Sequence, residues 1–96
     1  MPLTSKQRSA LKALAHHKKP VVSVGTKGVT DAVVSETDRA LAAHELIKVR
    51  FHESGDLDEG VAELATRAGA EVIAVRGKNA ILFRQDPDDP KIRLPI

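Results

Sequence analysis

The stretch KKPVVSVGTKGVTD, Lys18–Asp31, reads as a short apolar strand, a glycine-bounded turn and the start of a helix. Val21, Val22 and Val24 behind Pro20 supply the β-branched bulk of a strand. Gly25 and Gly28 bracket Thr26 and Lys27, so the chain can turn sharply and its backbone can come close to a partner. Thr30 has the chemistry of an N-cap, Asp31 suits the first helical turn, and Val29 and Val34 have the spacing of a hydrophobic staple. A helix N-terminus fed by such a turn points free N–H groups and partial positive charge outward, which suits phosphate. Taken alone, an ordinary strand-to-helix turn that needs two glycines accounts for the pattern equally well.

Upstream, the spacing predicts a helix over Thr4–His17. Thr4 and Gln7 have capping-box spacing, and Ala10, Leu11, Leu14 and Ala15 form a narrow apolar stripe. Pro20 ends it, and the adjacent His16 and His17 diverge too far on a helix to share a metal. Downstream, Asp31–His44 reads as a second helix. Period two then sets in from Glu45 to Glu53, with Ile47, Val49 and Phe51 on one face and Lys48, Arg50 and His52 on the other. Ser54–Asp58 is a polar break. Asp56 caps a third helix that carries Leu57, Val61, Leu64, Ala65 and Ala68 inward and ends at Gly69. Glu71–Arg76 and Ala80–Arg84 read as a hairpin around Gly77-Lys78-Asn79, with Ile73 and Val75 sharing one face and Arg76 and Arg84 on the opposite parity. The order is α-β-α-β-α-β-β, an α/β fold. Helical crossovers call for parallel pairing and the hairpin for an antiparallel pair. We therefore expect a two-layer domain with a four-stranded mixed sheet, covered mainly on one face and basic on the other through Lys48, Arg50, Arg76 and Arg84. Residues 1–84 form the expected domain. Residues 85–96, with their three prolines, form an irregular tail partly packed through Ile92 and Leu94.

The 96 residues suffice for one modest core, and 42% apolar with 29% charged is ordinary for a globular domain. The absence of cysteine excludes disulfides, thiolate catalysis and cysteine metal sites. With no apolar leader and no long apolar run, a cytoplasmic protein without membrane association is expected. The net charge of +2 is unevenly placed: residues 1–50 hold nine Lys/Arg against four Asp/Glu (+5), and residues 51–96 hold six against nine (−3). Lys6, Arg8, Lys12, Lys18, Lys19 and Lys27 stand in residues 1–30 without one acid, a candidate footprint for a polyanion. Phe51 and Phe83 are the only Phe, Tyr or Trp residues, so the chain can hardly build a base-stacking platform and any nucleic-acid contact should run through backbone and phosphate.

No catalytic or metal-binding constellation stands out. The serines lack a nucleophile elbow, the four histidines lack ligand spacing, and GTKG fits neither a Walker loop nor a dinucleotide fingerprint. No enzyme and no cofactor are expected. A short G-x-x-G turn that clamps nucleic-acid backbone is the device of KH domains, where it joins two helices; here it joins a strand to a helix.

With these residues in view, the chain resembles the CRM domain family, specifically its small bacterial YhbY type. The matching segments are LTSKQRSALKALAH (Leu3–His16), KPVVSVGTKGVTDAV (Lys19–Val33), ALAAHELIKVRF (Ala40–Phe51) and the FR of ILFR, spanning roughly residues 3–84. Phe83 stands where the family often carries tyrosine, Lys18 where an apolar residue is usual, and Val29 where leucine is commoner. The resemblance implies a fold similar to the C-terminal domain of translation initiation factor three, with a KH-like GxxG loop. It also implies RNA binding. Bacterial members are associated with precursors of the large ribosomal subunit, and plant members with group II intron splicing. It maps the GxxG loop onto Gly25, Thr26, Lys27 and Gly28, and the basic surface onto Lys6, Lys12, Lys19, Lys48 and Arg50, beside which Lys18 also stands. The expected partner is precursor ribosomal RNA in the large-subunit precursor, bound by a monomer. The rival reading is a protein-interaction module docking on ribosomal proteins or assembly factors through the acidic Asp56–Glu63 segment and tail. An enzyme for a phosphorylated small molecule rests on the anion-friendly turn alone.

Overall fold

A computed structural model describes residues 3–52 and 56–95 of the chain. Of the polar break expected at Ser54–Asp58, residues 54 and 55 lie outside the described residues, which resume at Asp56. Seven elements follow in order: α1 (Ser5–Ala15), β1 (Val22–Val24), α2 (Asp31–His44), β2 (Leu46–Phe51), α3 (Leu57–Ala68), β3 (Glu71–Arg76) and β4 (Asn79–Phe83). The helix starts follow their cap chemistry. Thr4 accepts the Gln7 N–H while Gln7 returns a bond to the Thr4 N–H, Thr30 accepts from Val33, and Asp56 accepts from Glu59. Each such cap contributes about 1 kcal/mol. Gly69 closes α3 at φ +66°, a left-handed conformation.

The sheet order is β1-β2-β4-β3, with β1 parallel to β2 and β4 antiparallel to both β2 and β3. The unit β1-α2-β2 is a direct parallel crossover. From β2, α3 carries the chain one strand position further to β3, and the hairpin returns β4 into the gap. Gly77, at φ +58°, takes the first position of the two-residue hairpin loop.

Side-chain alternation along β2 splits the core in two. Ile47, Val49 and Phe51 face α2 and α3, where they join Val22, Val24, Leu41, Val61, Leu64 and Leu82. Leu46 faces the other way, into a smaller cluster with Leu11 and Ala15 of α1, Ile73, Ile81 and Phe83. Two layers therefore describe α2 and α3 on the sheet, and α1 adds a partial third layer that the expected one-sided covering lacks. The tail joins it: Ile92 and Leu94 pack against the α1 cluster, as expected, and Gln7 donates to the Pro95 carbonyl at 3.0 Å.

Three further expectations change. Leu14 does not belong to the α1 stripe; it is 51% exposed, because α1 meets the sheet along the Leu11–Ala15 line and the tail fills the flank. Ile73 and Val75 do not share a face. The register against β4 slips between Val72 and Ala74, so Ile73 turns toward α1 and Val75 is left 37% exposed. Arg84 does not join the basic outer face. Lying just past β4, it donates to Asp38 Oδ1 at 2.6 Å and to the Ala68 carbonyl at 2.9 Å, tying α2 to the end of α3.

Candidate nucleic-acid interface

The carboxyl ends of β1 and β2 meet the hairpin at one end of the sheet. The His52 N–H donates to Val24 O at 2.9 Å, and the Phe51 N–H donates to Lys78 O at 2.7 Å. The GTKG turn leaves β1 at this end, beside the N-termini of α2 and α3. Its Gly28 N–H donates to the Gly25 carbonyl at 3.0 Å, so Thr26 and Lys27 occupy the exposed corner of a four-residue turn. The Thr30 N–H then donates to Gly28 O, and the Thr30 cap starts α2. Val29 and Val34 both pack on the larger core, which anchors the turn to the helix it feeds.

The two glycines differ. Gly28 stands at φ +74°, where any side chain strains the backbone. Gly25 has no such φ, and a Cβ built on it meets nothing within 4 Å. Neither backbone conformation nor internal packing requires glycine there. The position is open to the outside.

Behind the turn lies a cleft of about 370 Å³, floored by Val24, Val29, Phe51 and Leu57. Its far wall carries Asp56, Glu59 and Glu63 of the α3 segment. That wall is acidic and disfavours an anion inside the cleft.

The remaining candidates sort by face. Lys48 and Arg50 lie on the α1 side of β2, with Arg50 opposite Ser23 on one side and Asn79 on the other. Lys12 and Lys48 line one small cavity with His16, Arg76, Asn79 and Ile81. Lys18, Lys19 and Lys48 line an adjoining cleft with His44 and Val21. Lys48 is thus common to both and forms one strip of cations from Lys18 and Lys19 to Lys12 and Arg76. Lys6 stands apart in the first turn of α1, whose neighbours Gln7 and Arg8 bind the tail and β3. Arg8 also leaves the footprint: it donates to the Val72 carbonyl at 2.9 Å and pairs with Glu71 at 3.3 Å. Arg67 pairs with Asp31 and Glu63, and Arg84 with Asp38. Among the described residues, Lys12, Lys18, Lys19, Lys27, Lys48, Arg50 and Arg76 have no acid at ion-pair distance. No group of three metal-ligating side chains occurs among the described residues, and no helix among them is long and apolar enough to cross a membrane.

The family model of the CRS1/YhbY (CRM) domain matches residues 3–84. The chain belongs to this family. It is 37% identical over 93 residues to the "Probable RNA-binding protein PA4753" of Pseudomonas aeruginosa, covering 95% of this chain and 89% of that one. The "RNA-binding protein" of Haemophilus influenzae is 39% identical over 97 residues, covering 97% and 95%. The CRM fold also superposes on the solution structure of SAV1595 from Staphylococcus aureus, described as a putative RNA binding protein. The TM-score is 0.83, with 29% identity over 98% of this chain and 100% of that one.

Sequence reasoning passed over one residue of this CRM domain. Glu45 follows α2 at φ +63°, the only described non-glycine residue with positive φ, and its side chain is fully buried (0% exposed). Its carboxylate accepts the backbone N–H groups of Asp86 (2.6 Å), Ile92 (2.7 Å) and Lys91 (2.9 Å), and its carbonyl accepts from Arg84 N–H at 2.9 Å. Burial pushes the carboxyl up. The three N–H donors and the Lys91 charge outweigh burial and hold it below its ordinary value. The Asp88 and Asp89 amides likewise hold Asp86 low. In sequence, Glu45 is one acid between a helix and a strand, and nothing local shows that the tail returns to it from more than forty residues away.

Proposed function

We propose that this CRM domain is a non-enzymatic RNA-binding protein that binds precursor ribosomal RNA during large-subunit assembly, as a monomer in the cytoplasm. The observation that carries the reading is Gly25: a glycine that the fold does not require, open to the outside, in a turn whose tip bears a lysine with no ion-pair partner among the described residues. A bare backbone at that position admits a phosphodiester to the turn, and the N-terminus of α2 adds partial positive charge. Thr26 and Lys27 meet the backbone, and Gly28 holds the turn. Lys12, Lys18, Lys19, Lys48 and Arg50 extend the footprint along the α1 side of the sheet, with Lys6 at its far margin. The names of its relatives support RNA as the partner. The scarcity of aromatic side chains favours recognition of RNA shape over base identity.

The test is binding to a structured ribosomal RNA fragment with Gly25→Ala and Gly28→Ala in parallel. Gly25→Ala should keep the melting temperature and weaken RNA binding several-fold, because the methyl obstructs only the partner. Gly28→Ala should lower stability by about 1 kcal/mol through its positive φ. Equal RNA affinity for wild type and Gly25→Ala contradicts the assignment of the turn. The acidic wall of Asp56, Glu59 and Glu63 favours protein docking as the second reading. Association with ribosomal particles that survives ribonuclease would support that reading instead.

A further inference from the structure

The small cavity beneath the C-terminal half of α1 gathers three cations from three separate elements. Lys12 comes from α1, Lys48 from β2 and Arg76 from the end of β3, with His16, Asn79 and Ile81 completing the described lining. No acid stands among them, and none of the three cations has an ion-pair partner among the described residues. Among the described residues, the paired arginines Arg8, Arg67 and Arg84 show the contrast. Like charges gathered around one site repel one another, and an anion there removes that cost.

Asn79 lies at the same site, and its side-chain oxygen is buried without a hydrogen-bond partner among the described residues. As an acceptor it calls for an N–H donor, which the neighbouring ammonium and guanidinium groups carry. The cavity measures about 70 Å³. That is room for a small oxyanion.

We propose that this cavity is a phosphate seat, occupied by one phosphate group of an RNA backbone and separate from the GTKG turn. The inference rests on the RNA-binding reading above and adds to it a second grip. Arg76, with Asn79 beside it, is the residue it adds to the expected footprint. Arg76 offers the planar fork that matches a phosphate, and Lys12 and Lys48 supply point charges.

The experiment uses the full isotope-labelled chain, titrated first with inorganic phosphate and then with a structured RNA. RNA affinity is measured at several salt concentrations for wild type, Arg76→Ala and Arg76→Lys. Phosphate should produce saturable amide shifts at Lys48, Arg76 and Asn79 in wild type and lose them in Arg76→Ala. RNA should bind Arg76→Ala about 3- to 10-fold more weakly, with the slope of log K against log salt smaller by about one. Arg76→Lys should recover the slope and only part of the affinity, because it restores the charge without the fork. Arg76 is exposed, so an unchanged melting temperature should accompany these effects. Wild type that binds RNA, with no localised phosphate shifts and the same slope in Arg76→Ala, overturns the seat and leaves the RNA reading standing. Phosphate shifts with an unchanged RNA slope overturn RNA as the occupant. Wild type that binds no RNA overturns both readings.

Discussion

At Glu45 the chain holds a non-glycine residue at positive φ (+63°, ψ −42°) and encloses its carboxylate. The conformation costs on the order of 1–3 kcal/mol. Three charge-assisted hydrogen bonds to the tail offset it. Glu45→Ala should destabilise the domain by about 3 kcal/mol, since three N–H groups lose their acceptor at once. Glu45→Gln should cost less, because the amide oxygen still accepts from the tail. Denaturant unfolding of the two variants checks the order. The pH dependence has a definite sign. A carboxyl held below its ordinary value of 4.5 contributes stability that is fully present above about pH 4.5 and is lost as pH falls through the lower folded value. The acid limb of a stability-versus-pH curve should therefore flatten in Glu45→Ala. The glycines of the turn divide in the same residue-by-residue way. Gly28 answers to the backbone and Gly25 to the outside, so substitutions three residues apart should separate stability from binding.

At the scale of elements, the sequence is legible wherever a local rule suffices. The caps at Thr4, Thr30 and Asp56, the stop at Gly69 and the Gly77 hairpin each follow from neighbours within four residues, and they lie where the pattern puts them. Period-two alternation likewise places Lys48 and Arg50 opposite Ile47, Val49 and Phe51. What failed depends on partners distant in sequence. The slip at Ile73 arises from pairing with β4, Arg84 is claimed by Asp38 and the Ala68 carbonyl, and Leu14 is left outside by the line on which α1 meets the sheet. The candidate site divides similarly. The GTKG turn is local and legible, whereas the joining of Lys12 to Arg76 needs α1 to cross to a face that sequence alone leaves bare. The tail is the element whose role is most testable. Removing residues 85–96 strips Ile92 and Leu94 from the α1 cluster and takes the three N–H donors from the Glu45 carboxylate. The truncated chain should melt well below the intact one. In the intact chain, the Asp86, Lys91 and Ile92 amides should exchange slowly near neutral pH and lose protection as Glu45 protonates.

Across the described residues, the cations differ in whether an acid holds them. The acids of α2 and α3 take Arg67 and Arg84 into pairs, while the strip from Lys18 and Lys19 through Lys48 to Arg76 stays unpaired among the described residues. The GTKG turn stands at the end of the sheet toward which this strip leads, so a polyanion can meet both together. A modest net charge of +2 is compatible with strong binding in this arrangement, because the field that a partner meets is local. The most direct test is the salt dependence of binding to a structured ribosomal RNA fragment, for wild type and Lys27→Glu. The account predicts steep salt dependence for wild type, with lower affinity and a shallower slope in Lys27→Glu at an unchanged melting temperature. Identical affinity and slope in the two proteins would contradict it.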